Sequence, residues 1–135
     1  MTSAIDWHVV RLEPGEDLRA SLQAFFDGEG MSAAFIASAI GSLEQATLRF
    51  AGEPRGTRID GPLELVSLAG TLSLDGVHLH ASVSDARGAM RGGHVMPECI
   101  VRTTAEIVVA QLRGWEFRRE LDERTGFREL LATKG

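Results

Sequence analysis

Cysteine is almost missing from this chain of 135 residues: Cys99 stands alone, so no internal disulfide can form and the core must hold the fold. That scarcity fits a reducing compartment, and a cytoplasmic location is the expectation. No stretch reaches the apolar length of a membrane span, and Met1-Thr2-Ser3-Ala4-Ile5-Asp6 does not read as a signal peptide. Gly-x-Ser-x-Gly, a phosphate-binding loop and a dinucleotide fingerprint are all lacking, which removes three common catalytic or nucleotide-binding signatures. Basic residues are outnumbered 14 to 19, for a net charge of −5. An acidic chain repels phosphate backbones on average, so DNA binding starts at a disadvantage. Arginines gather locally, at Arg49, Arg55 and Arg58 and again from Arg113 to Arg128. The second group is interleaved with Glu116, Glu120, Asp122 and Glu123, the pattern of a solvated surface. There is no basic tail, repeat, linker or low-complexity tract.

What is present reads as one domain over 1–135, with its core from about 7 to 130. Trp7 to Leu12 predicts a first strand, stopped by Pro14-Gly15. Asp17 is a candidate N-cap, because Leu18, Leu22, Phe25 and Phe26 follow at helical spacing. Ser32 to Leu43 predicts a strand interrupted at Gly41-Ser42, with Glu44 to Phe50 as its partner. The glycine- and charge-rich stretch from Gly52 to Gly61 predicts an exposed loop. Leu63 to Ser73 is the next strand, and Asp75-Gly76 predicts a hairpin turn. Ala89 to Met96, Val101 to Leu112 and Trp115 to Leu121 are also strand-like, while Asp122 to Lys134 predicts an irregular tail. The expected fold class is α+β, a mostly antiparallel meander with one main helix on a face. One helix covers only one face of such a sheet, and the open face calls for a partner.

The most informative segment is Val77-His78-Leu79-His80-Ala81-Ser82-Val83, which holds two of the four histidines. Apolar and polar residues alternate strictly, so a strand buries Val77, Leu79, Ala81 and Val83 and projects His78 and His80 from its other face. A third histidine follows the double glycine Gly92-Gly93. If Ser84 opposes Ala89 across the hairpin, His94 points away; if Ser84 opposes Met90, His94 lies opposite His80. In the second register, or with a bulge at Gly92-Gly93, three imidazoles form a half-open site for zinc or another divalent ion. The competing reading is three surface histidines bonded to their neighbours. Glu64 is the nearest candidate for a further ligand. A zinc ion in such a site can activate water, but no spacing singles out a catalytic acid or base among Glu64, Glu98 and Glu106, so the catalytic residues are unknown. Cys99, before an Ile-Val run, reads as a small core residue.

The ordered set Arg11-Leu12-Glu13-Pro14-Gly15-Glu16-Asp17-Leu18, Gly41-Ser42-Leu43, Gly61-Pro62-Leu63-Glu64-Leu65-Val66-Ser67-Leu68-Ala69-Gly70, His78-Leu79-His80, Gly92-Gly93-His94 and Thr104-Ala105-Glu106-Ile107 resembles the plants and prokaryotes conserved (PPC) domain, a family of unknown function. The resemblance runs from about Trp7 to about Leu130. It implies an α+β fold assembled as a homotrimer. It also implies a metal site, zinc or another divalent ion, at His78, His80 and His94 near a subunit boundary. In plants the domain follows an AT-hook and meets transcription factors through a segment like Gly61 to Val66, which carries Arg-Phe where this chain has Pro62-Leu63. No AT-hook is present; Arg55-Gly56-Thr57-Arg58 is a loose echo of one. Single-domain prokaryotic members carry a DNA-binding label by analogy, and the charge of this chain argues against it. The expectation is a trimeric, metal-holding regulatory or DNA-associated protein. The alternatives are a small-ligand-binding module or a metal-dependent hydrolase or lyase. Glu64 and Arg102 are candidate pocket residues, and His8 is an ordinary polar position.

Overall fold

Asp17 caps the helix as its position predicts: its Oδ1 accepts the Ala20 amide at 2.9 Å. Its Oδ2 accepts the Glu98 amide at 2.7 Å, so one carboxylate also ties the helix to the turn before a distant strand. The helix α1 (Leu18–Gly28) buries Leu18, Leu22 and Phe26, the stripe that its spacing demands. The computed structural model describes residues 4–135. Around α1 it places β1 (Ile5–Leu12), β2 (Ala33–Arg49), β3 (Thr57–Ser73), β4 (Gly76–Ser84), β5 (Met90–Val95), β6 (Ile100–Leu112), β7 (Trp115–Asp122) and β8 (Phe127–Lys134). No helix among the described residues is long and apolar enough to cross a membrane.

All the pairings are antiparallel, and the main sheet runs β1-β6-β2-β3-β4-β5. Only β2 to β5 form a sequential meander, because β6 is inserted between β1 and β2. The far edge does not stay open. β5 returns to the end of β2 through Leu48↔Val95 and Arg49↔His94, which curls β2, β3, β4 and β5 into a four-strand ring. The inward residues of this ring, among them Leu43, Leu48, Leu65, Leu72, Leu79 and Val95, merge with the α1 stripe into one core. Cys99 lies in that core with Sγ 3.4 Å from both the amide and the carbonyl of Thr47, and burial first of all raises its pKa, which makes it an unreactive thiol.

Four expectations change. Gly41-Ser42 does not break a strand: β2 is continuous, with β6 on one edge and β3 on the other. Gly41 marks a close approach instead, since a Cβ there would lie 2.7 Å from Ala105 Cα on β6. The charged stretch before Gly61 is partly strand, because Thr57 to Asp60 pair with Leu48 to Gln45 and Ile59 turns into the core. The β3–β4 turn is Leu74-Asp75, flanked by the pair Ser73↔Gly76. The C-terminal tail is β8, zipped to β7 from Trp115↔Lys134 to Asp122↔Phe127. Its weak alternation concealed it, since nearly every side chain of β8 is exposed. This hairpin docks on the body through buried Phe117, whose carbonyl accepts the Leu74 amide and whose amide donates to the Ser32 carbonyl.

Candidate metal centre

β4 keeps the alternation its sequence announces: Val77, Leu79, Ala81 and Val83 are buried, and His78 and His80 leave by the other face. The β4–β5 register is Ser84↔Met90, which sets His80 directly opposite His94. On the other side of β4, His78 opposes Thr71 of β3. Because β5 also pairs with β2, the row His80–His94–Arg49 crosses three strands on one face. The double glycine serves this closure. A Cβ on Gly93 would lie 2.7 Å from the Arg49 carbonyl oxygen, so only glycine lets β5 settle against β2 at that point.

The three rings converge. Their centroids are 5.1 Å apart for His78–His80, 5.0 Å for His78–His94 and 5.7 Å for His80–His94. One nitrogen from each lies within 4.8 Å of the other two. Tetrahedral zinc with Zn–N bonds of about 2.05 Å holds its nitrogens about 3.3 Å apart, so the rings close by at most about 1.5 Å through side-chain rotation. The donor set fits a borderline-soft divalent ion. Among the described residues no protein group hydrogen-bonds to any of the three rings, whereas His8 shares a 3.0 Å hydrogen bond with Gln111 Oε1. The imidazole nitrogens at the cluster are therefore not engaged by the fold.

Electrostatics favours the neutral, ligating form. Partial burial, then the Arg49 guanidinium and the other two imidazoles, pushes His94 down to about 4. Burial, then Arg119 and His80, also lowers His78. A neutral imidazole offers its lone pair to a metal, so little proton competition is expected at pH 7. The shift has a stability consequence. Free histidine titrates near 6.5, so between about pH 6.5 and 4 the unfolded chain binds a proton that folded His94 refuses. Stability of the metal-free protein is present above pH 6.5 and falls as the pH drops toward 4. Thermal unfolding at pH 7 and pH 4.5 checks this: His94→Gln should lose less Tm on acidification than wild type, and equal losses would contradict it.

A divalent ion held by His78, His80 and His94 would leave room for a further ligand and would supply Lewis acidity to it. The cluster borders two depressions sharing Arg49, His78, His94 and Phe127: one of about 400 Å³ toward α1 and β7, and one of about 710 Å³ toward the turn after β2. Glu64 and Arg102 are not brought here. Glu64 pairs with Ser84, four residues along β4 from His80, and Arg102 is exposed on β6; neither lines a cavity at the histidines. The residues that do stand beside the cluster are Arg19, Arg49, Arg119 and Arg128. Sequence reading places Arg119 and Arg128 on a solvated surface and Arg49 only in a local arginine group, because nothing local signals that β2, β7 and β8 converge on β4.

The chain matches the Plants and Prokaryotes Conserved (PCC) domain over residues 2–113. A solved hypothetical protein from Salmonella enterica superposes with a TM-score of 0.95 at 41% identity, covering 99% of this chain and 97% of that one. A metal-containing protein from Archaeoglobus fulgidus superposes with a TM-score of 0.80 at 28% identity, covering 93% of each chain. The fold also recurs at 19% and 21% identity in proteins from Bacteroides thetaiotaomicron and Ralstonia eutropha that are named as candidate DNA-binding proteins. Among curated proteins, the bifunctional protein GlmU of a Synechococcus strain is 43% identical over 129 residues, 96% of this chain. This chain spans only about a fifth of that relative's length, 21%. With the family match covering most of its length, the chain belongs to the Plants and Prokaryotes Conserved (PCC) domain family.

Proposed function

We propose that this chain is a metal-centred binding module: His78, His80 and His94 hold one divalent ion, zinc first, and the open coordination position receives a small ligand. The convergence of three otherwise unengaged imidazoles carries this reading. The name of the Archaeoglobus fulgidus relative as metal-containing agrees with it. Recurrence of the unit inside a longer bifunctional protein suits a module that senses or binds. The module works as a homotrimer. His8 faces α1 through Phe25, so its strand neighbours Trp7 and Val9 face the other way, where they are 63% and 77% exposed. Val9 pairs with Val108, and Ile40, also 61% exposed, lies nearby on β2. An apolar sheet face of this kind is the natural surface for subunit contact.

Metal analysis tests the proposal. Wild type should carry about one divalent ion per chain, and a His78→Ala/His80→Ala/His94→Ala variant that stays folded should carry none. Equal metal in the two proteins would sink it. A second reading, DNA association, is supported by the names of the two distant structural relatives. The net charge of −5 opposes it. Retention on duplex DNA that falls steeply with salt would revive it, because phosphate contacts release counterions.

A further inference from the structure

The cavity of about 400 Å³ beside the histidines has a charge at odds with the chain that forms it. Arg19 from α1, Arg49 from β2, Arg119 from β7 and Arg128 from β8 line it, against the carboxylates of Asp75 and Glu129. Four cations face two anions in a protein whose overall charge is −5. One of those anions is already engaged: Asp75 Oδ2 accepts the Arg119 amide at 3.0 Å and lies 3.7 Å from Arg118 Nε. Three of the arginines are held in place by neutral acceptors. Arg19 donates to the Val77 carbonyl at 3.0 Å, Arg119 to Thr71 Oγ1 at 2.8 Å, and Arg128 to the Arg119 carbonyl at 3.0 Å. The Arg49 side chain makes no hydrogen bond or ion pair among the described residues. None of the four has a carboxylate within ion-pair distance among the described residues. Three guanidinium groups fixed by neutral acceptors and a fourth, Arg49, with no acceptor of its own line one cavity, an arrangement suited to carboxylate or phosphoryl oxygens.

We infer that this cavity is an oxyanion site: it takes a small organic anion whose carboxylate or phosphoryl group sits between Arg49 and Arg119 and reaches the ion at His78 and His94. The inference rests on the metal reading for that last contact only. Phe127, 68% exposed at the rim, offers an apolar wall for the rest of the molecule. The volume suits a small ligand. A polyanion would meet the acidic remainder of the surface, so the arginines serve a compact anion rather than a nucleic acid backbone.

Titration calorimetry with inorganic phosphate and, separately, malonate tests this on zinc-loaded protein at constant chloride, with zinc content measured on every sample. Saturable one-site binding of at least one anion is expected. It should weaken tenfold or more in Arg49→Gln and in Arg119→Gln while both variants keep their zinc. Arg49→Gln is the decisive variant, since that side chain supports no other contact of the fold. No binding of either anion to zinc-loaded wild type overturns the inference, and so does unchanged affinity in Arg49→Gln. Binding of a duplex oligonucleotide where both small anions fail overturns it too. Should wild type prove unable to hold zinc, the metal reading falls separately. Phosphate or malonate binding to that protein, weakened tenfold by Arg49→Gln, would still uphold the oxyanion site, and its absence would overturn it.

Discussion

Gly70→Ala should damage the metal centre more than any other single-methyl addition in the chain, although residue 70 ligates nothing. Gly70 has φ of +150° and faces Leu79 across the β3–β4 ladder. A Cβ there would strike the carbonyl oxygen of His78 and lie 2.9 Å from Leu79 Cα, both of them backbone that cannot swing aside. Strained φ and an overpacked strand pair each cost about 1–3 kcal/mol, so a loss of about 2–6 kcal/mol is expected. The only relief is to move β4 away from β3, which moves His78. Gly93→Ala acts by the same logic at the other wall of the site, pressing on the Arg49 carbonyl 2.7 Å away, at a cost of about 1–3 kcal/mol. Gly92→Ala meets its nearest atom, the Ala81 carbonyl oxygen, at 3.1 Å and should be the mild member of the set. Urea unfolding and zinc affinity of the three variants give the ranking. A Gly92→Ala protein as damaged as Gly93→Ala, or a Gly93→Ala protein that binds zinc like wild type, would show that the β2–β5 closure does not set the position of His94.

His94→Ala should lower zinc affinity by about two to three orders of magnitude. Zinc binding worth about 10–16 kcal/mol in closed four-ligand sites divides into roughly 2.5–4 kcal/mol per ligand, and each 1.4 kcal/mol is tenfold. Folding of the metal-free protein should change by no more than about 1 kcal/mol, because the ring makes no hydrogen bond to a protein group among the described residues. His8→Ala is the control. It removes the contact with Gln111 and the edge-to-face contact with Phe25, 5.7 Å between centroids, and should leave zinc affinity unchanged. Competition with a chromophoric chelator reads both. Equal affinities for His94→Ala and wild type would remove His94 from the site.

The histidine face of β4 was legible because burial imposes a period of two, and one strand suffices to display it. The position of His94 was legible only as a choice between registers, since parity depends on how the turn at Asp85 to Gly88 closes. Asp85 settles it by accepting the Arg87 and Ala89 amides on Oδ1 and donating its own amide to the Ala89 carbonyl. The surroundings of the site were hidden for a different reason. Arg49 meets His94 through a strand pairing that joins distant segments, and Arg119 reaches Thr71 only because Asp75 and Phe117 dock β7 on the β3–β4 turn. Such contacts leave no periodic trace in the chain. Glu64 looked eligible because it precedes the histidine strand in sequence, but the antiparallel register carries it to the opposite end of β4. Strand β8 escaped because exposure of both faces erases the alternation by which strands are recognised.

The central claim, that one divalent ion sits on three imidazoles, is tested most directly by anomalous diffraction at the zinc absorption edge from crystals grown with one equivalent of zinc. The predicted result is a single strong peak per chain about 2.0–2.1 Å from one nitrogen each of His78, His80 and His94, with its fourth position open to the arginine-lined cavity. Zinc-soaked crystals with no peak between these residues, or with zinc bound only elsewhere on the chain, would contradict it.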